Sequence, residues 1–192
     1  MYAYAANNPV RYIDPTGLTT SDRQTADGKK ERTSAKTSNP DVNRKSKKGV
    51  DINLFPKDHK IYKYAKKVKN PLNDKTFIIG GHGNVYIIED DTATSISAKK
   101  VAELIKNDKN YSAGMTIKLL SCSTGKRNDG FAQNLADEMG AGTKVIAPSK
   151  TLWISSDGSL EIYDLEEKQN EDGDKITVKN QGEWKTFTGR KK

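Results

Sequence analysis

The sequence predicts an α/β domain with a mostly parallel central sheet, followed by a β-rich extension. Three observations carry this reading. Between residues 50 and 147, short apolar runs of strand length alternate with stretches whose apolar residues recur every three to four positions. That alternation builds parallel strands joined by helices. Two of the apolar runs, residues 76–79 and 115–120, end abruptly in glycines or small polar residues, as strands do where an α/β sheet carries its chemistry. Beyond Pro148 the helical spacing disappears, and only strand runs and turns remain.

Taken in order, residues 50–55 alternate apolar and polar side chains, which suits a first strand. Pro56 and Asp58 then open a helix with Ile61, Tyr64, Ala65 and Val68 on its apolar face. Asn70-Pro71 ends it, and Asn73-Asp74 turns the chain into the strand at 76–79. Gly80, Gly81, His82 and Gly83 follow, then a brief strand at 85–88 and a turn at 89–91. Ser97 is placed to cap a helix that buries Val101, Leu104 and Ile105. The strand at 115–120 runs into Ser121, Cys122, Ser123, Thr124 and Gly125. Phe131, Leu135 and Met139 space out another helix, which Gly140 closes. A strand at 144–147 stops at Pro148. Runs at 152–154, 160–163, 176–178 and 184–187 complete a meander or flap, with turns at Asp157-Gly158 and Asp172-Gly173.

Composition limits the alternatives. With 192 residues, 33% of them hydrophobic, and a mean hydropathy of −0.83, the chain suits one packed domain plus unstructured sequence. No apolar run approaches the roughly 20 residues of a membrane span, so no membrane insertion is expected. The first residues lack the basic and apolar blocks of a secretory signal and read as an interior piece of something longer. A single cysteine forms no internal disulfide, and two histidines without clustered spacing argue against zinc or another metal. The net charge of +8 is unevenly placed. Residues 19–50 hold nine Lys/Arg against four Asp/Glu and no Ile, Phe, Tyr or Trp, whereas residues 51–192 hold 23 against 20. A disordered basic linker over 19–49 is therefore expected, and no nucleic-acid partner.

The only cysteine and one of the two histidines both end strands. A lone cysteine is more often a small buried hydrophobe, and a histidine between glycines is commonly a surface residue. If the two strands are parallel neighbours, however, Cys122 and His82 emerge on one edge as a nucleophile and its base. His59, in a polar stretch, is expected to be exposed. Ser123-Thr-Gly-Lys126 lacks the first glycine and the final Ser/Thr of a phosphate loop.

The segments FIIGGHG, KLLSCS and GFAQNLADEMG, with the β-rich tail, resemble the caspase-like clan of cysteine proteases. Within it they look most like the self-processing protease domain of large clostridial and MARTX toxins. The resemblance covers about residues 50–187. It implies a caspase-like three-layer sandwich with a C-terminal β-flap over a domain at 50–192. It makes Cys122 the nucleophile and His82 its partner, with the backbone N–H groups of Gly83 and Cys122 as oxyanion hole. An upstream aspartate orients the histidine in some relatives; Asp51 is the best-placed candidate, although no motif fixes it. Those toxin proteases are activated by inositol hexakisphosphate. Lys168, Lys175, Lys179 and Lys185, or the helix lysines Lys60, Lys63 and Lys67, could hold it, but Glu166, Glu167, Glu171, Asp172 and Asp174 dilute the flap's charge. A solvated face and no required cofactor are expected instead.

Residues 2–18, YAYAANNPVRYIDPTGL, resemble the end of the RHS-repeat core, the shell that encloses toxins in polymorphic-toxin systems. Asp14, Pro15, Gly17 and Leu18 match its DPxGL self-cleavage motif. The likeness implies that residues 1–18 end the shell, that the cut falls at Leu18–Thr19, and that the remainder is an exported effector. A partner aspartate expected further upstream is missing. Together the two resemblances imply a toxin protease delivered into a target cell's cytoplasm, acting on a protein there and opposed by an immunity protein. Alternatives are a protease that matures its own chain, a Cys–His acyltransferase or deamidase, and a binding module.

Overall fold

The computed structural model describes residues 49–69 and 75–191. The segment expected to end a shell, with Asp14, Pro15, Gly17 and Leu18, the expected linker up to residue 48, the expected helix end at Asn70-Pro71 and the expected turn at Asn73-Asp74 lie outside the described residues.

The architecture is mixed α/β around a mostly parallel sheet. Its strands are β1 (Ile52–Asn53), β2 (Thr76–Gly80), β5 (Thr116–Leu120), β6 (Lys144–Pro148) and β10 (Trp184–Thr188), side by side in that order. The first four run parallel, and β10 closes the edge antiparallel to β6. All five residues of β2 are buried, as expected of an interior strand covered on both faces.

Alternation along the strands sorts the core into two clusters. Phe77, Ile79, Ile117, Leu119 and Val145 face α2 (Ala98–Lys106) and α3 (Phe131–Met139), meeting Val101, Ile105, Phe131 and Leu135. Ile78 and Leu120 point the other way, against Val68, Leu152 and Ile162. That second face is covered by the chain around α1 (Lys60–Ala65) and by a separate sheet of β7 (Leu152–Ile154), β8 (Leu160–Gln169) and β9 (Lys175–Gln181). The turn between β7 and β8 is pressed onto the end of the α1 region. Lys67 Nζ donates to Ser156 O at 2.7 Å, and a side chain on Gly158 (φ +89°) would collide with the Lys67 main chain.

Several elements differ from expectation for local reasons. β1 is only two residues long, flanked by hydrogen bonds from Asp51 N–H to Ile78 O and from Leu54 N–H to Gly80 O. α1 is a six-residue helix beginning at Lys60, with His59 at its N-cap position making no side-chain cap bond. The strand expected at 85–88 starts only at Ile88, because Asn84 Oδ1 accepts from Tyr86 and Ile87 N–H and holds a turn. It forms β3 (Ile88–Glu89), which pairs antiparallel with β4 (Ser95–Ile96) around a turn organised by Asp90. Ser97 caps α2 as expected, accepting from Lys100 N–H.

The largest correction concerns the tail. Its last strand does not join the flap but returns to the central sheet as β10. Phe187 and Trp184 lie on opposite sides of that strand, Phe187 in the first core cluster and Trp184 against the second. Only a strand with a core on either side accommodates both. β8 and β9, by contrast, run longer than their apolar residues predict, because cross-strand pairing continues through polar positions up to Gln169 and Lys175. No helix among the described residues is long and apolar enough to cross a membrane.

A polar clamp fixes β10 to α3. Arg190 Nη2 lies 2.5 Å from Asp137 Oδ2, and Gln133 Nε2 donates to both Asp137 Oδ1 and Thr188 O. The Arg190 hydrogen bonds hold the Asp137 carboxyl at about 2, below its ordinary 3.8. A depressed carboxylate stabilises the fold above its unfolded value, and that stability is lost as pH falls through the folded one. Asp137→Asn should therefore be less stable than wild type at neutral pH and lose less stability between about pH 3.8 and 2. Acid unfolding followed by circular dichroism measures both.

Candidate functional site

β2 and β5 are hydrogen-bonded parallel neighbours in register, with Gly80 opposite Leu120. His82 and Cys122 each lie two residues beyond those paired ends. By alternation they fall on the face of Ile78 and Leu120 rather than that of Phe77 and Leu119. Their contacts agree. His82 meets the Phe55 ring edge-on at 5.1 Å, and that same ring lies over Gly80. Cys122 packs against the cluster of Val68, Ile78, Leu120, Leu152 and Ile162. The thiol and imidazole thus occupy one face of one sheet edge.

At rest they are not joined. No hydrogen bond links Cys122 Sγ to His82 among the described residues. The sulfur instead accepts Leu152 N–H at 3.4 Å and lies 3.7 Å from Leu152 O. Burial pushes the thiol's pKa up, and the charge of Asp164 adds to this, while the Leu152 N–H acts in the opposite direction. The resting sulfur is therefore a protonated thiol at neutral pH. His82 moves the other way: burial lowers its pKa, the charge of His59 lowers it further, and Glu89 opposes both. The imidazole is neutral at pH 7, the form that can accept a proton.

The loop after Cys122 is tightly held. Ser123 has φ +56°, uncommon for a residue with a side chain. Its N–H donates to Lys150 O at 2.9 Å, Gly125 N–H donates to Pro148 O at 2.9 Å, and Thr124 Oγ1 donates to Ser121 O at 2.9 Å. On the histidine side, Gly83 bridges Ile88 through bonds from Asn84 N–H to Ile87 O and from Glu89 N–H to His82 O. The N–H of Gly83 itself is not used in that bridge. A methyl on Gly83 would strike Ser121 Oγ and lie 2.7 Å from the Ile87 carbonyl oxygen, so only glycine fits. Ser121 Oγ is buried with no hydrogen-bond partner among the described residues.

Asp51 sits elsewhere. Its Oδ2 accepts Ile78 N–H at 2.8 Å, four residues before His82 on β2, so it does not orient the ring. The group that reaches His82 is His59, whose Nδ1 is 3.4 Å from His82 Nε2, with ring centroids 5.7 Å apart. His59 is exposed as expected, but its ring converges on the site, which was not expected. The rule that singled out Cys122 and His82 could have found it, since the loop that carries His59 leaves the same sheet edge from β1.

The flap lysines are largely neutralised. Lys168, Lys175 and Lys179 lie 3.5–3.9 Å from Glu166, Glu167 and Glu161. Lys185 instead borders an open cleft of about 600 Å³ where Lys126 and Lys150 meet Asp164, Glu166 and Glu183. No group of three or more His, Cys, Asp or Glu side chains among the described residues is placed to hold a metal.

Residues 50–162, which contain β2, β5 and both strand ends, match the family described as "Domain of unknown function (DUF8616)". An uncharacterized protein of Escherichia coli (strain K12), YibJ, is 44% identical over 94 residues. The alignment covers 49% of this chain and 39% of that protein, so the chain spans well under half the length of this relative.

Two substitutions at this edge should act in opposite directions. Gly83→Ala should lower stability by roughly 1–3 kcal/mol, through forced displacement of packed neighbours. Ser121→Ala removes a buried hydroxyl that has no partner and should raise stability by about 1 kcal/mol. Urea denaturation midpoints check both; a destabilised Ser121→Ala would mean that the hydroxyl is in fact bonded.

Proposed function

We propose that this chain, which belongs to the DUF8616 family, is a cysteine endopeptidase of caspase-like architecture that serves as the C-terminal toxin of a secreted RHS-type effector. The observation that carries the enzymatic reading is the register of β2 against β5, which brings His82 and Cys122 to one face of the sheet edge. The neutral His82, the glycine-only position at Gly83 and the positive φ of Ser123 support it. The shell motif at residues 2–18 supports the effector reading.

The chemistry follows from these groups. Rotation of the Cys122 side chain away from Leu152 presents its sulfur to His82, which takes the proton as the sulfur attacks a peptide carbonyl. The N–H groups of Gly83 and Cys122 receive the developing oxyanion. His82 returns the proton to the leaving amine, and water hydrolyses the thioester to regenerate the thiol. No metal or cofactor enters these steps. The substrate is a target-cell protein, reached after delivery into that cell's cytoplasm, and an immunity protein protects the producer.

The test is expression of the full chain and of Cys122→Ala in a host without immunity protein, with new protein N-termini mapped across the proteome. Wild type should arrest growth and generate new N-termini, and the alanine variant should reduce both by roughly a thousandfold or more. Equal killing by Cys122→Ala contradicts the catalytic reading. New N-termini confined to the chain itself would favour self-processing instead.

A further inference from the structure

We infer that His59 is a positioning residue for His82, accepting the His82 Nε2–H through its own Nδ1 so that Nδ1 of His82 is the nitrogen presented to Cys122. The inference rests on the cysteine-protease reading and adds the identity of the third member and the tautomer of the base.

The geometry carries it. The two nitrogens are 3.4 Å apart, so one donates and the other accepts. A neutral imidazole has one N–H and one lone pair. Were His59 the donor, the lone pair of His82 would be consumed on Nε2, and the nitrogen left for the thiol would carry a hydrogen and could not act as a base. With His82 donating, its Nδ1 lone pair is free, and the second N–H of His59 lies at its exposed Nε2. The Phe55 ring, edge-on to His82 with planes at 82°, holds the imidazole from a further side. This is the role an aspartate plays in a nucleophile–histidine–acid triad, namely fixing tautomer and orientation, but met by a neutral acceptor. Asp51, the acid expected there, is engaged with Ile78 N–H.

A neutral acceptor has a consequence that a carboxylate lacks. A carboxylate would stabilise the imidazolium, whereas a protonated His59 repels it and can no longer accept. The charged groups acting on His82 are His59 from the start of α1, which disfavours its protonation, and Glu89 on β3, which favours it. The site should therefore fail on acidification as His82 is protonated, at a pH set below its ordinary value.

With two histidines in the chain, long-range ¹⁵N–¹H correlation spectra of the full chain resolve the tautomer of each ring. Wild type should show His82 as the Nε2–H form, titrating below 6.5. His59→Ala should mix the tautomers, raise the His82 midpoint, and slow the appearance of new host N-termini by about tenfold to a hundredfold. His59→Gln keeps an acceptor without charge. It should restore the tautomer and most of the rate, while the acid limb of its activity moves to higher pH with the raised His82 midpoint. His59 is exposed and makes no cap bond, so neither variant should lower the melting midpoint. If Cys122→Ala is inactive but His59→Ala keeps wild-type tautomer and rate, this inference fails and the protease reading stands. If Cys122→Ala is fully active, the protease reading fails first, and His59 has no reaction to serve.

Discussion

Everything at the candidate site depends on one pairing, the parallel register of β2 with β5. Residues of adjacent parallel strands in register stay in step beyond the last hydrogen bond, so the chain leaves the sheet with His82 and Cys122 at matching positions. A slip of one residue would send one of them to the helix-covered face. The register is held by burial. Phe77, Ile79, Ile117 and Leu119 must face α2 and α3, while Ile78 and Leu120 must face Val68, Leu152 and Ile162. Truncating one such side chain to alanine typically costs about 2–5 kcal/mol, so the core that stabilises the domain also sets the geometry of the strand ends.

The same burial shapes the electrostatics. It suppresses charge on both groups, leaving a protonated thiol and a neutral imidazole rather than an ion pair. The thiol is turned toward Leu152 on β7, the strand that begins the flap. The β7–β9 sheet and the Cys122 thiol are therefore coupled through the Leu152 N–H. The flap is in turn held by Lys67 and by the close approach of Gly158 to the end of the α1 region. A path of contacts runs from α1 through the β7–β8 turn to Cys122, while His59 and Phe55, just before α1, contact His82.

Much of this was legible in the sequence because it follows from periodicity. The strands around 76–80 and 116–120, the helices buried through Val101 and Leu135, and the Ser97 cap each rest on a local pattern that the tertiary fold also satisfies. What was not legible depends on contacts between distant segments. The return of β10 to the central sheet required knowing that two cores lay ready for Trp184 and Phe187. The β3–β4 hairpin was hidden because its strands are two residues each, and Asn84 and Asp90 dictate its turns through side-chain hydrogen bonds. Asp51 has the charge and chain position of an orienting acid, but its carboxylate meets Ile78 N–H in the first strand pair. His59 has only polar neighbours in sequence, so nothing local marks it, although its neighbour in space is His82.

In the proposed chemistry Cys122 becomes an acylated nucleophile with His82 as its base. The most direct measurement is peptide mass mapping of Cys122 after the purified full chain is mixed with host lysate and quenched in acid. A hydroxylamine-labile thioester should appear on the Cys122 peptide in wild type and be absent when His82 is replaced by alanine. An unmodified Cys122 at every time point while host proteins are being cleaved, or a thioester that forms equally well without His82, would contradict that chemistry.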